Sequence, residues 1–424
     1  MKLDWSRINW LKFMRLRGSA YLLSITVAVF FSLISASVLL YVRISLKQHK
    51  RIAKMDELFW HEKQTIRYLL STDAFRLNKG EIRFAYQEVQ DDSIRIERSR
   101  WGNLELIRTS LYNEYDSLKK AFLVGQNQTE HRVALYLSDQ NRPLYLAGKS
   151  RLIGTCYLPK AGVRKAQISG RRYIGDQLVD GQTKVSERIM PELSELFGPE
   201  VGGGFDVPGS ADTVEWKHSI KNSYWNETKI LLVSESTALY GSYQGNLIIR
   251  SQGHLTIGAS CTLDGVIVQA PSIRIKTGFV GTVQCFAMDS IILEEDVRLT
   301  YPSGLYVSNN TPGNAAFIEI QTRASVEGMV ALDDKFQLRN QRSKLKVAEE
   351  AVISGMAYSN QYVQLEGEVR GSLYCKWFSL ETASAPFDDH LLDACISSQA
   401  LPLDYVQLLS LEGRGSRSIM QWLN

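Results

Sequence analysis

The sequence predicts a mainly β protein, a parallel β-solenoid of about 18 residues per rung, preceded by one transmembrane helix that continues into an amphipathic helix. Three observations lead to this fold class. Short apolar strands recur at a fixed spacing, a second strand that usually contains glycine follows each of them, and one long N-terminal segment is apolar and uncharged. A chain of 424 residues also exceeds what one hydrophobic core usually organises, so more than one unit is expected.

The recurring strands have the form apolar-x-apolar. They begin at Leu255, Ile273, Ile291, Ile318, Leu345 and Val363, so each start follows the previous one by two or three times nine positions. The second strands begin at residues 263, 280, 326, 352 and 369. This regularity predicts a coil whose stacked turns share one core, because a single turn cannot bury its inner face alone. Val283 and Val330 are predicted to point into that core. A β-sandwich is the competing fold, but nothing in it would give gaps in multiples of nine.

Residues 20–42 form the apolar segment, which runs for 23 residues without a charge and is long enough to cross the hydrocarbon core of a bilayer. Five basic residues precede it and five follow it, so flanking charge leaves the orientation open. Beyond it, Ile52, Met55, Phe59, Ile66 and Leu69 fall on one helical face, which predicts that the helix continues as an amphipathic one.

The sequence RLRGSAYLL at residues 15–23 resembles the leader and first residues of type IV pilin-like proteins, in particular the minor pseudopilins. The resemblance implies processing between Gly18 and Ser19, a cytoplasmic leader, and a C-terminal part outside the cytoplasm. The glutamate usual at the fifth mature position of that family is replaced here by Leu23.

The repeat at residues 250–380 resembles that of the bactofilins, polymer-forming bacterial cytoskeletal proteins, whose rungs combine the same two kinds of strand. This resemblance implies a right-handed β-helix. It specifies the fold better than the function, because solenoids carry many unrelated activities.

These features predict eight segments. They are a basic cytoplasmic leader (1–18), a transmembrane helix (19–42), an amphipathic helix (43–75), a β-rich connector (76–132), the first solenoid rungs (133–175), an insertion (176–230), the main β-solenoid (231–383) and a C-terminal cap (384–424). Short helices are expected at 185–197 in the insertion and at 387–395 in the cap.

The sequence predicts no catalytic residue, no cofactor site and no metal site. Five cysteines without a C-x-x-C pair argue against a disulfide framework or a zinc cluster, and most are expected to fill the core. His390 with Asp388, Asp389 and Asp393 is the one cluster with metal or acid–base character, and we expect it to be the polar face of the cap. One rung from Asp264 lies Thr282, so no paired carboxylates are expected there.

Three classes of function follow. The preferred one is a single-pass structural or assembly component of the bacterial envelope, anchored in the inner (cytoplasmic) membrane with its C-terminal part periplasmic or otherwise extracytoplasmic. Its expected partners are the lipid bilayer and other proteins, met through the solenoid or the anchor helix. A formal charge of +4 with mixed signs gives no reason to expect nucleic acid. The alternatives are a membrane-tethered cytoplasmic scaffold like a bactofilin and a polysaccharide-active enzyme.

Overall fold

The protein is described by a computed structural model that covers residues 10–71, 83–89, 92–113, 115–127, 132–193, 212–214, 218–233, 237–309, 313–336, 342–382, 385–407 and 416–423. These residues form a mainly β structure with one long helix, α1 (Trp10–Ser71).

The strands are numbered in chain order. The first group is β1 (Arg83–Val89), β2 (Asp92–Trp101), β3 (Leu104–Tyr112), β4 (Ser117–Asn127), β5 (Val133–Leu137), β6 (Leu144–Ala147), β7 (Arg151–Ile153), β8 (Thr155–Leu158), β9 (Val163–Lys165), β10 (Gln167–Ile168), β11 (Arg171–Arg172) and β12 (Thr183–Val185). The second group is β13 (Asp212–Val214), β14 (Ser219–Asn222), β15 (Lys229–Val233), β16 (Thr237–Leu239), β17 (Ser242–Gly245), β18 (Leu247–Ser251), β19 (His254–Ile257), β20 (Thr262–Gln269), β21 (Ser272–Ile275), β22 (Val280–Ala287) and β23 (Ser290–Leu293). The third group is β24 (Arg298–Asn309), β25 (Phe317–Ile320), β26 (Ser325–Asp334), β27 (Lys344–Val347), β28 (Val352–Leu365), β29 (Glu368–Glu381), β30 (Pro386–Asp388), β31 (His390–Leu392), β32 (Cys395–Ser397), β33 (Val406–Gln407) and β34 (Ser416–Leu423), with a short 3-10 helix at Ser398–Ala400.

The chain divides into two compact units. The first comprises Met1–Ile66, Gln87–Ile94 and Leu111–Leu118, and the second comprises Arg67–Tyr86, Arg95–Ser110 and Lys119–Asn424.

In the first unit, α1 is the main element, and residues 20–42 are exposed along their whole length. Further along, Arg51 forms an ion pair with Asp116, and the Asn113 side chain donates to the Lys54 carbonyl at 3.2 Å. Leu58 is fully buried, so this stretch of α1 has a packed face. The packed face differs from the predicted one, because Ile52 and Phe59, two residues of the predicted apolar face, are 61% and 38% exposed.

The second unit contains most of a six-stranded sheet in the order β1-β2-β3-β4-β33, in which β34 also pairs with β4. A buried arginine and a partly buried one meet one buried carboxylate in this sheet: Arg98 donates to Glu105 at 2.6 Å, and Arg417 of β34 also donates to Glu105. Such a pairing is needed because an unpaired buried charge is very costly. The arrangement ties the C-terminal strand to the sheet.

The larger part of the second unit is an extensive parallel sheet. The predicted strand starts pair in the expected register, Leu255 with Ile273, Ile273 with Ile291, Ile291 with Ile318, Ile318 with Leu345 and Leu345 with Val363. All of these side chains are at most 1% exposed. They belong to one buried apolar cluster that also contains Val283 and Val330, so the predicted inward position of both valines is confirmed.

Four of the five cysteines are buried and one is partly buried. Cys156, Cys261, Cys285 and Cys375 lie in the same apolar cluster, which confirms that most cysteines fill the core.

Two predicted helices are wrong within the described residues. Where residues 387–395 were expected to be helical, the chain forms the end of β30, then β31 and the start of β32. Asp389 and Asp393 adopt φ of 57° and 56°, a left-handed conformation that aspartate tolerates in turns and that interrupts a helix. At 185–197, Val185 ends β12 and residues 186–193 contain no helix, whereas 194–197 lie outside the described residues.

The spatial order of the strands also differs from the expected one. The strands at 133–158 do not precede β13 in the sheet but follow the C-terminal strands: Leu135 of β5 pairs with Leu373 of β29, and Leu152 of β7 pairs with Ile396 of β32. Next in the sheet, β8 pairs with β5 and β12 with β8. Residues 186–211 therefore connect one end of the sheet with strands at the other.

Candidate functional site

Three carboxylates of the large parallel sheet and its turns, Asp264, Glu294 and Asp296, either have no acidic neighbour on the adjacent strands or are paired with a base. Asp264 pairs in register with Gln244 on one side and Thr282 on the other, as expected, so neither neighbouring strand supplies a second acid at that position. Asp296 is held by Arg323 through contacts of 2.8 and 2.9 Å, and these hydrogen bonds lower the pKa of Asp296.

Glu294 is similarly engaged. Partial burial alone would raise its pKa, but hydrogen bonds from Lys276, at 2.8 Å, and Thr277 outweigh that effect, so the pKa of Glu294 is lowered. A lowered pKa favours the charged form, which suits an ion pair better than a general acid.

The cluster around His390 is a set of turn contacts. Asp388 binds Arg342 at 2.6 Å, and Asp393 accepts a hydrogen bond from the Lys149 N–H at 2.7 Å. Asp389 is buried, which raises its pKa. In the part of the chain that the structure describes, no group of three or more His, Cys, Asp and Glu residues is arranged to hold a metal ion.

The buried cysteines are poorly suited to nucleophilic chemistry. Burial raises the pKa of Cys156, Cys261 and Cys285 to about 12, so little thiolate forms at neutral pH. His254, the histidine nearest in sequence to Cys261, is within 3.3 Å of the Thr256 hydroxyl.

A surface built from two pairs of partly exposed rings is the strongest candidate for recognition. Tyr362 and Trp377 occupy paired positions on β28 and β29, and their rings stack at 5.0 Å between centroids. Tyr145 and His390 are paired likewise on β6 and β31 and stack at 4.5 Å. These pairs arise because each ring directly precedes an inward apolar residue, so parallel pairing places the rings side by side.

Charged side chains join the two ring pairs. The Arg342 guanidinium lies over the Tyr362 ring at 4.5 Å and binds Asp388, while the Asp388 carbonyl lies 2.6 Å from His390 Nδ1. Lys376 Nζ lies over Trp377 at 4.2 Å. Hereafter the ring face means Tyr145, Tyr362, Trp377, His390, Arg342 and Lys376. Rigid aromatic rings and arginine are the residues that most often anchor interfaces.

A second column of rings lies on another flank of the parallel sheet and is covered. It comprises Phe286, Tyr306, Tyr358, Tyr374, Tyr136 and Tyr157 on successive strands, with Ala331 between Tyr306 and Tyr358. The Glu187 N–H donates to the Tyr136 hydroxyl, and the Tyr358 hydroxyl donates to the Pro191 carbonyl, both at 3.2 Å. Residues 187–191 thus lie over this column.

The six-stranded sheet covers another part of the same flank. Trp101 Nε1 donates to the Gly265 carbonyl at 3.2 Å, and the Gln284 side chain donates to the Trp101 carbonyl at 3.2 Å and accepts from the Asn103 N–H at 2.9 Å. This flank contributes to stability and is not available to a ligand in this conformation.

Gly18 and Ser19, the predicted processing site, lie within α1. The part of that helix from Ala20 to Ser71 is long enough and apolar enough to cross a membrane.

The sequence predicted neither the ring face nor the covered column of rings. Tyr362 and Trp377 each stand directly before an inward apolar residue, which is visible in the sequence. Their stacking can be inferred from this only when the register between their strands is known. Comparisons with protein-family models, with curated proteins and with solved structures found no match to this chain.

Proposed function

We propose that this chain is a single-pass structural or assembly component of the bacterial cell envelope. In this proposal α1 anchors it in the inner membrane, and its parallel sheet is a right-handed β-solenoid similar to that of the bactofilins. The observation that carries the proposal is the combination of an exposed apolar helix with parallel strands that repeat in multiples of nine positions around one apolar core. Such stacking provides a stiff body with long flanks, which suits a scaffold.

The ring face is the surface that we assign to a protein partner. Its rings are held by stacking and by cation–π contacts, so little side-chain entropy is lost when a partner packs on them. We propose no hydrolase or lyase activity, because Glu294 and Asp296 are paired with bases and Asp264 has no acidic neighbour on the adjacent strands.

The orientation of the chain tests this proposal and is our first prediction. From the leader-like residues before Gly18, we expect the C-terminus to lie outside the cytoplasm. A reporter active only in the periplasm, fused after Asn424, should give signal, and a cytoplasmic reporter at the same place should be silent. The opposite pattern would favour the membrane-tethered cytoplasmic scaffold.

The partner contact is tested by a photo-crosslinking residue placed at Trp377 in cells, with Lys335, an exposed residue outside the ring face, as the matched control position. A defined protein adduct is expected from position 377 alone. Equal labelling at both positions would remove the ring face from the proposal.

A further inference from the structure

One end of the parallel sheet concentrates positive charge. Residues 149–189, called here the basic end, contain nine bases and three acids, a formal charge of +6, whereas the whole chain carries only +4. The bases are Lys149, Arg151, Lys160, Arg164, Lys165, Arg171, Arg172, Lys184 and Arg188, and all nine are exposed. The remainder of the protein is therefore slightly acidic, so this charge is a local feature.

The strands of the basic end belong to three sheets. β9 adds to β6, β12 adds to β8, and β10 pairs with β11. The Ile174 N–H, which follows the β10–β11 hairpin, donates to the Gly148 carbonyl at 3.0 Å. Some of the charge is compensated internally, since Arg171 binds Asp393, but most of it faces solvent.

Aliphatic side chains of the basic end are exposed together with its bases. Outside α1, four aliphatic side chains in the described residues are more than 60% exposed, and three of them, Ile174, Val185 and Ile189, lie in the basic end. Val185 directly follows Lys184, Ile189 directly follows Arg188, and Ile174 comes two residues after Arg172. Exposed aliphatic groups cost free energy in water, so this arrangement points to a binding surface with an apolar component.

We propose that the basic end binds the surface of an anionic lipid bilayer, with its lysines and arginines on headgroup phosphates and its three aliphatic side chains at the acyl boundary. Basic residues interspersed with protruding aliphatic ones fit a lipid surface, which is negative outside and apolar beneath. A nucleic acid or a sulfated glycan would satisfy the bases but would offer nothing to Ile174, Val185 and Ile189. The proposal rests on the anchoring proposed above only in that the anchor would keep a bilayer close by.

The test uses the full chain in lipid nanodiscs. A fluorophore is attached at Ile189→Cys or, as the matched control, at Leu403→Cys, since these side chains are 77% and 78% exposed. Four native cysteines are buried and should label poorly, and Cys395→Ser removes the fifth. Quenching by nitroxide-labelled lipid is compared between discs of phosphatidylcholine alone and discs that also contain phosphatidylglycerol. Quenching at position 189 only, and only with the anionic lipid, is expected.

Charge variants decide whether the bases cause that contact. Lys149, Lys160 and Arg164 changed together to glutamate should reduce the quenching at 189 to the level at 403. The same change at three exposed bases elsewhere, Lys221, Arg298 and Lys335, should leave it intact. Melting curves for both triple variants verify folding.

Three results would overturn the inference. The first is equal quenching at positions 189 and 403, and the second is no quenching at 189 with phosphatidylglycerol. The third is a Lys149, Lys160 and Arg164 triple variant that self-associates while its quenching at 189 is unchanged. In that case the bases serve only to keep edge strands from pairing. The proposed anchoring by α1 is tested separately: if α1 does not insert, the chain does not co-elute with the nanodisc. The labelled chain is then mixed with phosphatidylglycerol vesicles that carry the quencher, which tests the basic end by itself.

Discussion

Three glycines show how a single residue type sets the approach of neighbouring strands. Gly355 of β28 pairs with Gly328 of β26 on one side and with Gly371 of β29 on the other. The φ values of Gly328, Gly355 and Gly371 are 144°, 137° and 132°. A Cβ on Gly355 would overlap the Gly328 carbonyl oxygen, and a Cβ on Gly371 would overlap that of Gly355. Both the backbone conformation and the spacing therefore require glycine.

We predict that Gly355→Ala lowers the free energy of unfolding by about 1–3 kcal/mol, because alanine is strained at this φ and its methyl group displaces a neighbouring strand. The control is Gly304→Ala in the same sheet, where an added Cβ has its nearest contact at 3.8 Å. Denaturant titration of both variants measures the difference. Equal stabilities would mean that the backbone relaxes at Gly355 without cost.

The inward valines give a second prediction at this scale. Val283 is 1% exposed, and Val280, on the same strand, is 55% exposed. Val283→Asp should lower the free energy of unfolding by about 3 kcal/mol or more, because it buries a carboxylate without a partner. Val280→Asp should stay close to the parent protein. If the two variants melt alike, the assignment of Val283 to the core side of β22 is wrong.

Among the elements, the covered ring column has a consequence for alkaline stability. Burial raises the pKa of Tyr306 to about 12, from its ordinary value of 10.0. The unfolded chain loses this proton first as pH rises, so stability is full below pH 10 and falls between about pH 10 and 12. The loss from this one group is up to about 3 kcal/mol.

Tyr306→Phe removes the ionising group but keeps the ring. Melting temperatures of this variant and of the parent are therefore expected to diverge above pH 10, where the parent loses more stability. Parallel curves throughout that range would show that Tyr306 ionises equally well in the folded state.

The elements also show what sequence could and could not predict. The strand starts from Leu255 to Val363 were predictable, because each strand carries its own alternation and the spacing between them is regular. The sequence of 387–395 misled because Leu391 and Leu392 lie among polar residues as they would in a short helix, whereas two left-handed aspartates divide the segment into strands. The ring face could not be predicted, because its ring pairs come from segments whose pairing only the folded chain defines.

For the whole molecule, the position of β5 gives the last prediction. Because β5 pairs with β29, a chain truncated after residue 366 keeps the strands from β19 to β23 but removes one of the two strand partners of β5 and leaves the other, β8. Hydrogen exchange should then show lost protection at 133–158 and retained protection at 255–293. The control is a chain that ends at residue 407 and so, of the described strands, lacks β34 alone. If residues 133–158 stay protected in the chain that ends at residue 366, these strands fold without β29.

The pairing of β5 with β29 also affects the order in which the strands can fold. More than half of the chain is synthesised between Leu135 and its partner Leu373, so β5 can pair early with β8 but can pair with β29 only after the strands between them have been made. Contacts so distant in sequence form late, because closing a long loop costs entropy before any contact rewards it. Until β29 is made, the edge of β5 that later receives it is open to wrong pairing with a neighbouring copy, unless a chaperone covers that edge.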